Sequence, residues 1–166
     1  MEVIDRLQPS SGKPAKRFDS PQQEVFLNLW RTYDRFRALE DELFGRYGLT
    51  AQQYNALRIL RAASPRKVPT LTLAARLVSR APDITRLLDR LVERGLADRE
   101  RPADNRRTVL VGITAAGVEL LDNLAAEVRQ CHERQLGHLD DAQMRSLVDL
   151  LSRARQPHEP DGSEWL

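Results

Sequence analysis

Within eight residues the chain offers Ser79, Arg80, Pro82, Asp83, Thr85 and Arg86. Their chemistry matches the edges of base pairs. The fork of Arg80 or Arg86 can donate two parallel hydrogen bonds to guanine O6 and N7, Asp83 can accept from cytosine N4, and Pro82 and Thr85 can touch thymine methyls. Arg90, one turn later, is better placed for a backbone phosphate. A second group, Asp104, Arg106 and Arg107, lies in the run Arg101–Arg107, which is too charged to be buried. Each helix arginine has a blander alternative as half of a surface ion pair, Arg86 with Asp83 or Asp89 and Arg90 with Glu93. Exposed pairs of this kind contribute under about 1 kcal/mol, so they do not forbid a nucleic-acid role.

These groups matter only if the chain holds them outward. Ile84, Leu87, Leu88 and Leu91 recur at helical spacing and predict a helix over Ala81–Arg94 that buries leucines and shows arginines. Pro82 fits the first turn of such a helix, where its missing N–H costs nothing. Gly95 supplies the left-handed residue that ends it. Leu96–Glu100 and Val109–Ile113 read as two strands joined by the charged turn, and Leu71–Leu77 reads as a preceding short helix. The arrangement is a winged helix-turn-helix. In that motif the second helix enters the major groove by its leading end and the first crosses the backbone.

The remaining elements frame this module. Ser20-Pro21-Gln22-Gln23 opens a helix running to about Arg46, with an apolar stripe from Phe26 to Phe44. Thr50-Ala51-Gln52-Gln53 opens another that reaches about Ala63, after which Val68-Pro69-Thr70 is a short strand or extended segment. Thr114 caps a long helix whose Gly117, Leu121, Leu124, Val128, Cys131 and Gln135 alternate spacings of four and three, a partial coiled-coil seam. Asp140-Asp141-Ala142-Gln143 opens a last helix carrying Met144, Leu147, Val148 and Leu151. The first and the last two helices hold more apolar surface than a winged helix covers, which predicts burial against a second copy through a two-fold interface. The expected class is mainly α with a small β-wing. It divides into a flexible arm (1–19), an N-terminal dimerisation helix (20–47), a DNA-binding domain (48–114), C-terminal dimerisation helices (115–155) and a flexible tail (156–166).

Composition agrees. At 166 residues and 41% hydrophobic, the chain can bury a real core, and aromatics at 5% favour helices over sheets. Residues 58–107 hold 13 Lys/Arg against 6 Asp/Glu, whereas the rest of the chain holds 13 against 18. A basic module on a mildly acidic body is the electrostatic footprint of a nucleic-acid binder. No apolar run approaches a bilayer span, and the N-terminus lacks the apolar centre of a signal peptide. The single Cys131 excludes an intrachain disulfide and fits a reducing compartment, so a cytoplasmic location is expected.

Catalysis finds little support. His132-Glu133 lacks a second histidine at zinc-protease spacing, since His138 follows six residues after His132 with Gly137 between. A small metal-dependent hydrolase on His132, Glu133 and His138 is therefore disfavoured, and no cofactor or metal is expected. Cys131 sits in an apolar seam, where thiols are usually inert.

Four segments occur in order: GLTAQQYNALRIL (Gly48–Leu60), LTLAARL (Leu71–Leu77), DITRLLDRLVERGLADR (Asp83–Arg99) and DNRRTVLVGITAAGVELL (Asp104–Leu121). Together they closely resemble the MarR family of bacterial transcription regulators, over most of residues 21–155. The resemblance implies a homodimer joined by its terminal helices on an inverted-repeat operator in double-stranded DNA. It implies Asp104 as the brace of the wing tip, with Arg106 favoured over Arg107 for entering the minor groove, where A·T-rich DNA is narrow and strongly negative. It also implies a small, often aromatic effector between dimer helices and winged domain. Trp30, Tyr33 and Tyr47 are the candidate aromatics for lining that pocket, with Arg37 as the candidate to receive a carboxylate; the plainer alternative makes Trp30 and Tyr33 interface residues. The expectation is a homodimeric, sequence-specific DNA-binding transcription regulator, a repressor relieved by a small molecule, with no membrane association. The alternative is a winged-helix protein-interaction module without specific DNA binding.

Overall fold

The computed structural model describes residues 17–78, 83–103 and 107–160, in two compact units that divide after Arg35. The division falls inside the first helix, α1 (Pro21–Gly45). In the first unit, the Ser20 hydroxyl accepts the Gln23 N–H at 3.1 Å, and Gln23 reaches back to accept the Asp19 N–H at 2.7 Å. The helix start read from Ser-Pro-Gln-Gln is therefore present, with the return bond one residue earlier than the cap. Val25, Phe26, Trp30 and Tyr33 all stand exposed along this part of the helix.

The second unit begins with the end of α1, where Leu43 and Phe44 are buried. Gly48 takes a φ of 62°, which lets the Leu49 N–H return to the Phe44 carbonyl at 3.0 Å and closes the helix. Thr50 then caps α2 (Ala51–Ala63) in a reciprocal box with Gln53. The chain continues through β1 (Val68–Pro69), α3 (Thr70–Arg76), α4 (Ile84–Glu93), β2 (Ala97–Glu100), β3 (Leu110–Ile113), α5 (Ala115–Leu136) and α6 (Asp141–Arg155). A 3-10 turn at Gln156–His158 follows. The antiparallel sheet has the order β1-β3-β2, with Val111 opposite Val68 on one side and Arg99 on the other. The protein is thus mostly helical with a small three-stranded wing sheet, as its sequence pattern required.

The core gathers Leu57 and Leu60 of α2, Leu73 of α3, Leu88 and Leu91 of α4, Val111 of β3 and Leu124 of α5. Gly117 permits this closure: a Cβ there would run into the Leu96 carbonyl oxygen. The α5 seam is buried throughout, and Leu124 is 0% exposed inside its own chain. This corrects the reading of that seam as a surface for a second copy. Periodicity says that a face is covered, and here α2, Leu96 beside Gly117 and the end of α1 beside Gln135 contribute to the cover. Buried Gln135 satisfies its amide by donating to the Phe36 carbonyl at 3.1 Å.

The start of α4 is also corrected. The helix begins at Ile84, three residues after Ala81, because the Asp83 carboxylate accepts the Arg86 N–H at 2.9 Å and acts as the cap. Pro82 belongs to residues 79–82, which lie outside the described part of the chain. Among the described residues no helix is long and apolar enough to cross a membrane.

Candidate nucleic-acid interface

α4 has two unlike faces. Leu87, Leu88 and Leu91 are buried, while Thr85, Arg86 and Arg90 are exposed. Asp83, at the helix start, has one carboxylate oxygen engaged by the cap. Asp89, the other acid within reach of Arg86 by sequence spacing, forms its ion pair with Arg99 of β2 instead. Arg99 also donates to the Thr85 carbonyl at 3.1 Å, so one guanidinium ties the wing sheet to the outer side of α4. Arg86 and Arg90 form no ion pair among the described residues. Their charge faces solvent.

Arg99 escaped the sequence reading. Its only signal is a basic residue in a four-residue strand, and nothing local says that its partner lies ten residues upstream on a helix. The same holds for Lys67, which bridges Asp98 at 2.8 Å and Glu100 at 3.0 Å and fastens β1 to the wing. Those two hydrogen bonds, to Asp98 first, raise the Lys67 pKa. At the far end of α4, Arg94 donates to the Gly48 carbonyl at 2.6 Å and to the Tyr47 carbonyl at 2.9 Å. α4 is therefore tied to its surroundings by Arg99 on one side and Arg94 at its end, two guanidinium groups engaged within the chain.

A concavity of about 680 Å³ lies between the start of α3, α4 and the base of the wing, lined among others by Leu71, Thr85, Arg99, Arg101 and Arg107. Leu71 is 82% exposed at its rim. Arg101 joins Arg107 here, although no local pattern singles it out. Ser79, Arg80, Asp104 and Arg106 lie outside the described residues, together with Pro82.

The residues considered for an effector are dispersed in role. Arg37 pairs with Asp41 at 3.4 Å on the helix surface. The Tyr47 hydroxyl donates to Glu127, whose carboxylate also meets Arg46 at 2.7 Å. That hydrogen bond is the main reason the Tyr47 pKa is raised. Trp30 and Tyr33, in the first unit, are 62% and 61% exposed. Cys131 is buried, and burial pushes its thiol pKa up, away from the thiolate that reactive cysteines need. Among the described residues no three His, Cys, Asp or Glu side chains are grouped to hold a metal ion.

A capped helix with a leucine face inward and an arginine face outward, followed by a two-stranded wing, defines a winged helix-turn-helix protein. The chain belongs to the MarR family of transcription regulators: the MarR family model matches residues 49–109. It is 30% identical over 105 residues to the uncharacterized HTH-type transcriptional regulator YpoP of Bacillus subtilis (strain 168), covering 63% of this chain and 73% of that one. A MarR transcription factor from Planctomyces limnophilus is 54% identical, with a TM-score of 0.66 over 82% of this chain and 98% of that one. A mutant MarR from E. coli, complexed with operator DNA, shares the fold at 23% identity, with a TM-score of 0.71 over 79% of this chain and 93% of that one. Members of this family regulate transcription and are not enzymes, and this chain is a DNA-binding regulator of that kind.

Proposed function

We propose that the protein is a homodimeric repressor that reads an inverted-repeat operator through α4 and is released by a small organic effector. The observation that carries the reading is the outward face of α4. Thr85, Arg86 and Arg90 are exposed; Asp83 caps the helix, Asp89 pairs with Arg99, and neither Arg86 nor Arg90 forms an ion pair among the described residues. Arg86 is assigned to a base edge and Arg90 to a phosphate. Asp83 keeps the helix start in place and has one oxygen left for a cytosine amine. Arg107 and Arg101 lie at the wing base, suited to backbone phosphates. Ser79, Arg80 and Pro82 are assigned to the leading edge, and Arg106, braced by Asp104, to the minor groove, on the strength of the family resemblance.

Dimerisation is supported by apolar side chains left in solvent, Phe26 and Trp30 on α1 and Val148 and Leu150 on α6. Each is too large an apolar group to stand exposed in series without a partner surface. Effector relief rests on the family resemblance, with Trp30, Tyr33, Arg37 and Tyr47 as its candidate contacts and a cytoplasmic setting implied by the DNA target.

Selection of binding sites from random duplexes tests the reading. The wild type should enrich an inverted repeat with half-sites about one helical turn, roughly 10 bp, apart. Arg86→Ala should weaken binding by about 1–3 kcal/mol and relax one base pair in each half-site. Enrichment of no sequence, or equal loss on all sequences for Arg86→Ala, would overturn the assignment of Arg86 to a base.

A further inference from the structure

A second concavity of the second unit is on neither the wing side of α4 nor α1. It lies between the last turns of α2, β1 and α3, with a volume of about 720 Å³. Its floor is aliphatic, made by Ile59, Ala63, Val68 and Pro69, and among the described residues no aromatic side chain lines it. Four cations surround it, Arg58, Arg66, Lys67 and Arg76, and among the described residues no carboxylate lines it. Lys67 is already matched by Asp98 and Glu100. Arg58 and Arg66 are exposed and form no ion pair among the described residues.

An aliphatic floor beside the unmatched guanidinium groups of Arg58 and Arg66 selects for one kind of small molecule: an apolar chain with an anionic head. We propose that this groove binds a medium-chain organic acid, its carboxylate between Arg58 and Arg66 and its chain along Ile59, Val68 and Pro69. The concavity and its apolar floor favour this occupant over a DNA backbone, which convex, polar surfaces grip equally well. The groove extends to Val78, whose N–H donates to the Asn55 side-chain oxygen at 3.2 Å. An occupant would thus touch α2 and α3 together, close to where the chain leaves α3 toward α4. The proposal concerns binding to the free protein and does not depend on how DNA is read.

Octanoate titrated calorimetrically into the full-length protein without DNA supplies the test, with acetate as the head alone and 1-octanol as the chain alone. Octanoate should bind saturably at one site per chain, and both fragments should bind at least about tenfold more weakly. The double variant Arg58→Gln with Arg66→Gln should lose at least tenfold in affinity, because a charged head would lose its hydrogen-bonded partners. Removing two charges elsewhere, by Arg129→Gln with Arg134→Gln, should leave affinity within twofold. Amide NMR shifts should concentrate in the stretches 55–63 and 66–78. The proposal is overturned by absence of saturable binding or by equal affinity in the two double variants. It is equally overturned if shifts fall elsewhere, or if loss of Arg58 and Arg66 weakens only DNA binding.

Discussion

α5 and α6 follow one another, and both carry aliphatic residues at helical spacing, yet they meet opposite surroundings. All six seam positions of α5, from Gly117 to Gln135, are buried within the chain. No residue of α6 is buried, and Val148 and Leu150 remain 64% and 59% exposed. Both helices are capped, with Thr114 accepting the Gly117 N–H and Asp140 in a reciprocal box with Gln143. What differs is the partner. α5 lies against α2 and meets the Phe36 carbonyl of α1 through Gln135, whereas α6 keeps its aliphatic side chains exposed. A seam is a demand for cover, and the demand of α5 is met inside the monomer.

The strongest way to break this comparison is to cut into both helices. Leu124→Ala should destabilise the protein by about 2–5 kcal/mol in urea unfolding, since it empties a site with no exposure. A loss below 1 kcal/mol, accompanied by dissociation of a dimer, would mean that α5 serves the interface after all. On α6, Leu150→Glu should leave the monomer folded by circular dichroism while weakening self-association at least about tenfold in sedimentation, because a charge cannot be buried unpaired at an apolar interface. Unchanged association would remove α6 from the proposed dimer surface.

A smaller effect separates the face of α4 that reads from the residues that hold it. Arg99→Ala breaks the tie from β2 to Asp89 and Thr85 and should cost about 1 kcal/mol of stability, limited by the partial exposure of the pair. It should weaken binding to all DNA sequences alike, unlike Arg86→Ala. Altered preference at a single base pair would make Arg99 a reading residue.

The smallest effect concerns alkaline pH. The Tyr47 hydroxyl and the Lys67 ammonium are both held above their ordinary values of 10.0 and 10.5 by hydrogen bonds to carboxylates, Glu127 for the first and Asp98 and Glu100 for the second. The folded state therefore keeps these protons more tightly than the unfolded chain. The resulting stabilisation is complete below the ordinary values and is lost as pH rises through the raised folded ones. The melting temperature should fall above about pH 10, and the double variant Tyr47→Phe with Lys67→Met should show a shallower fall. An equally steep fall would place the alkaline loss elsewhere.

Much of this was legible before any coordinates. The caps at Ser20, Thr50, Thr114 and Asp140, the left-handed Gly95, the leucine face of α4 and the wing strands all follow from local chemistry, in which a side chain and its backbone partner lie within a few residues. So does the exposure of Arg86 and Arg90, because a helix that buries its leucines must turn its arginines outward. The cap at Asp83 was the local exception: Pro82 looked like a first helical turn, and a carboxylate one residue later took that place.

Tertiary structure alone decided the pairings across the chain. Arg99 reaches Asp89, Lys67 reaches Asp98 and Glu100, Arg94 reaches Gly48, and Tyr47 reaches Glu127, pairings between different elements that no helical or strand periodicity encodes. The same is true of which seam is core and which groove carries unmatched arginines over an aliphatic floor. Periodicity and capping are properties of a segment and were fixed by the order of residues. Partnership is a property of two segments brought together by burial, and only the packed chain determines it.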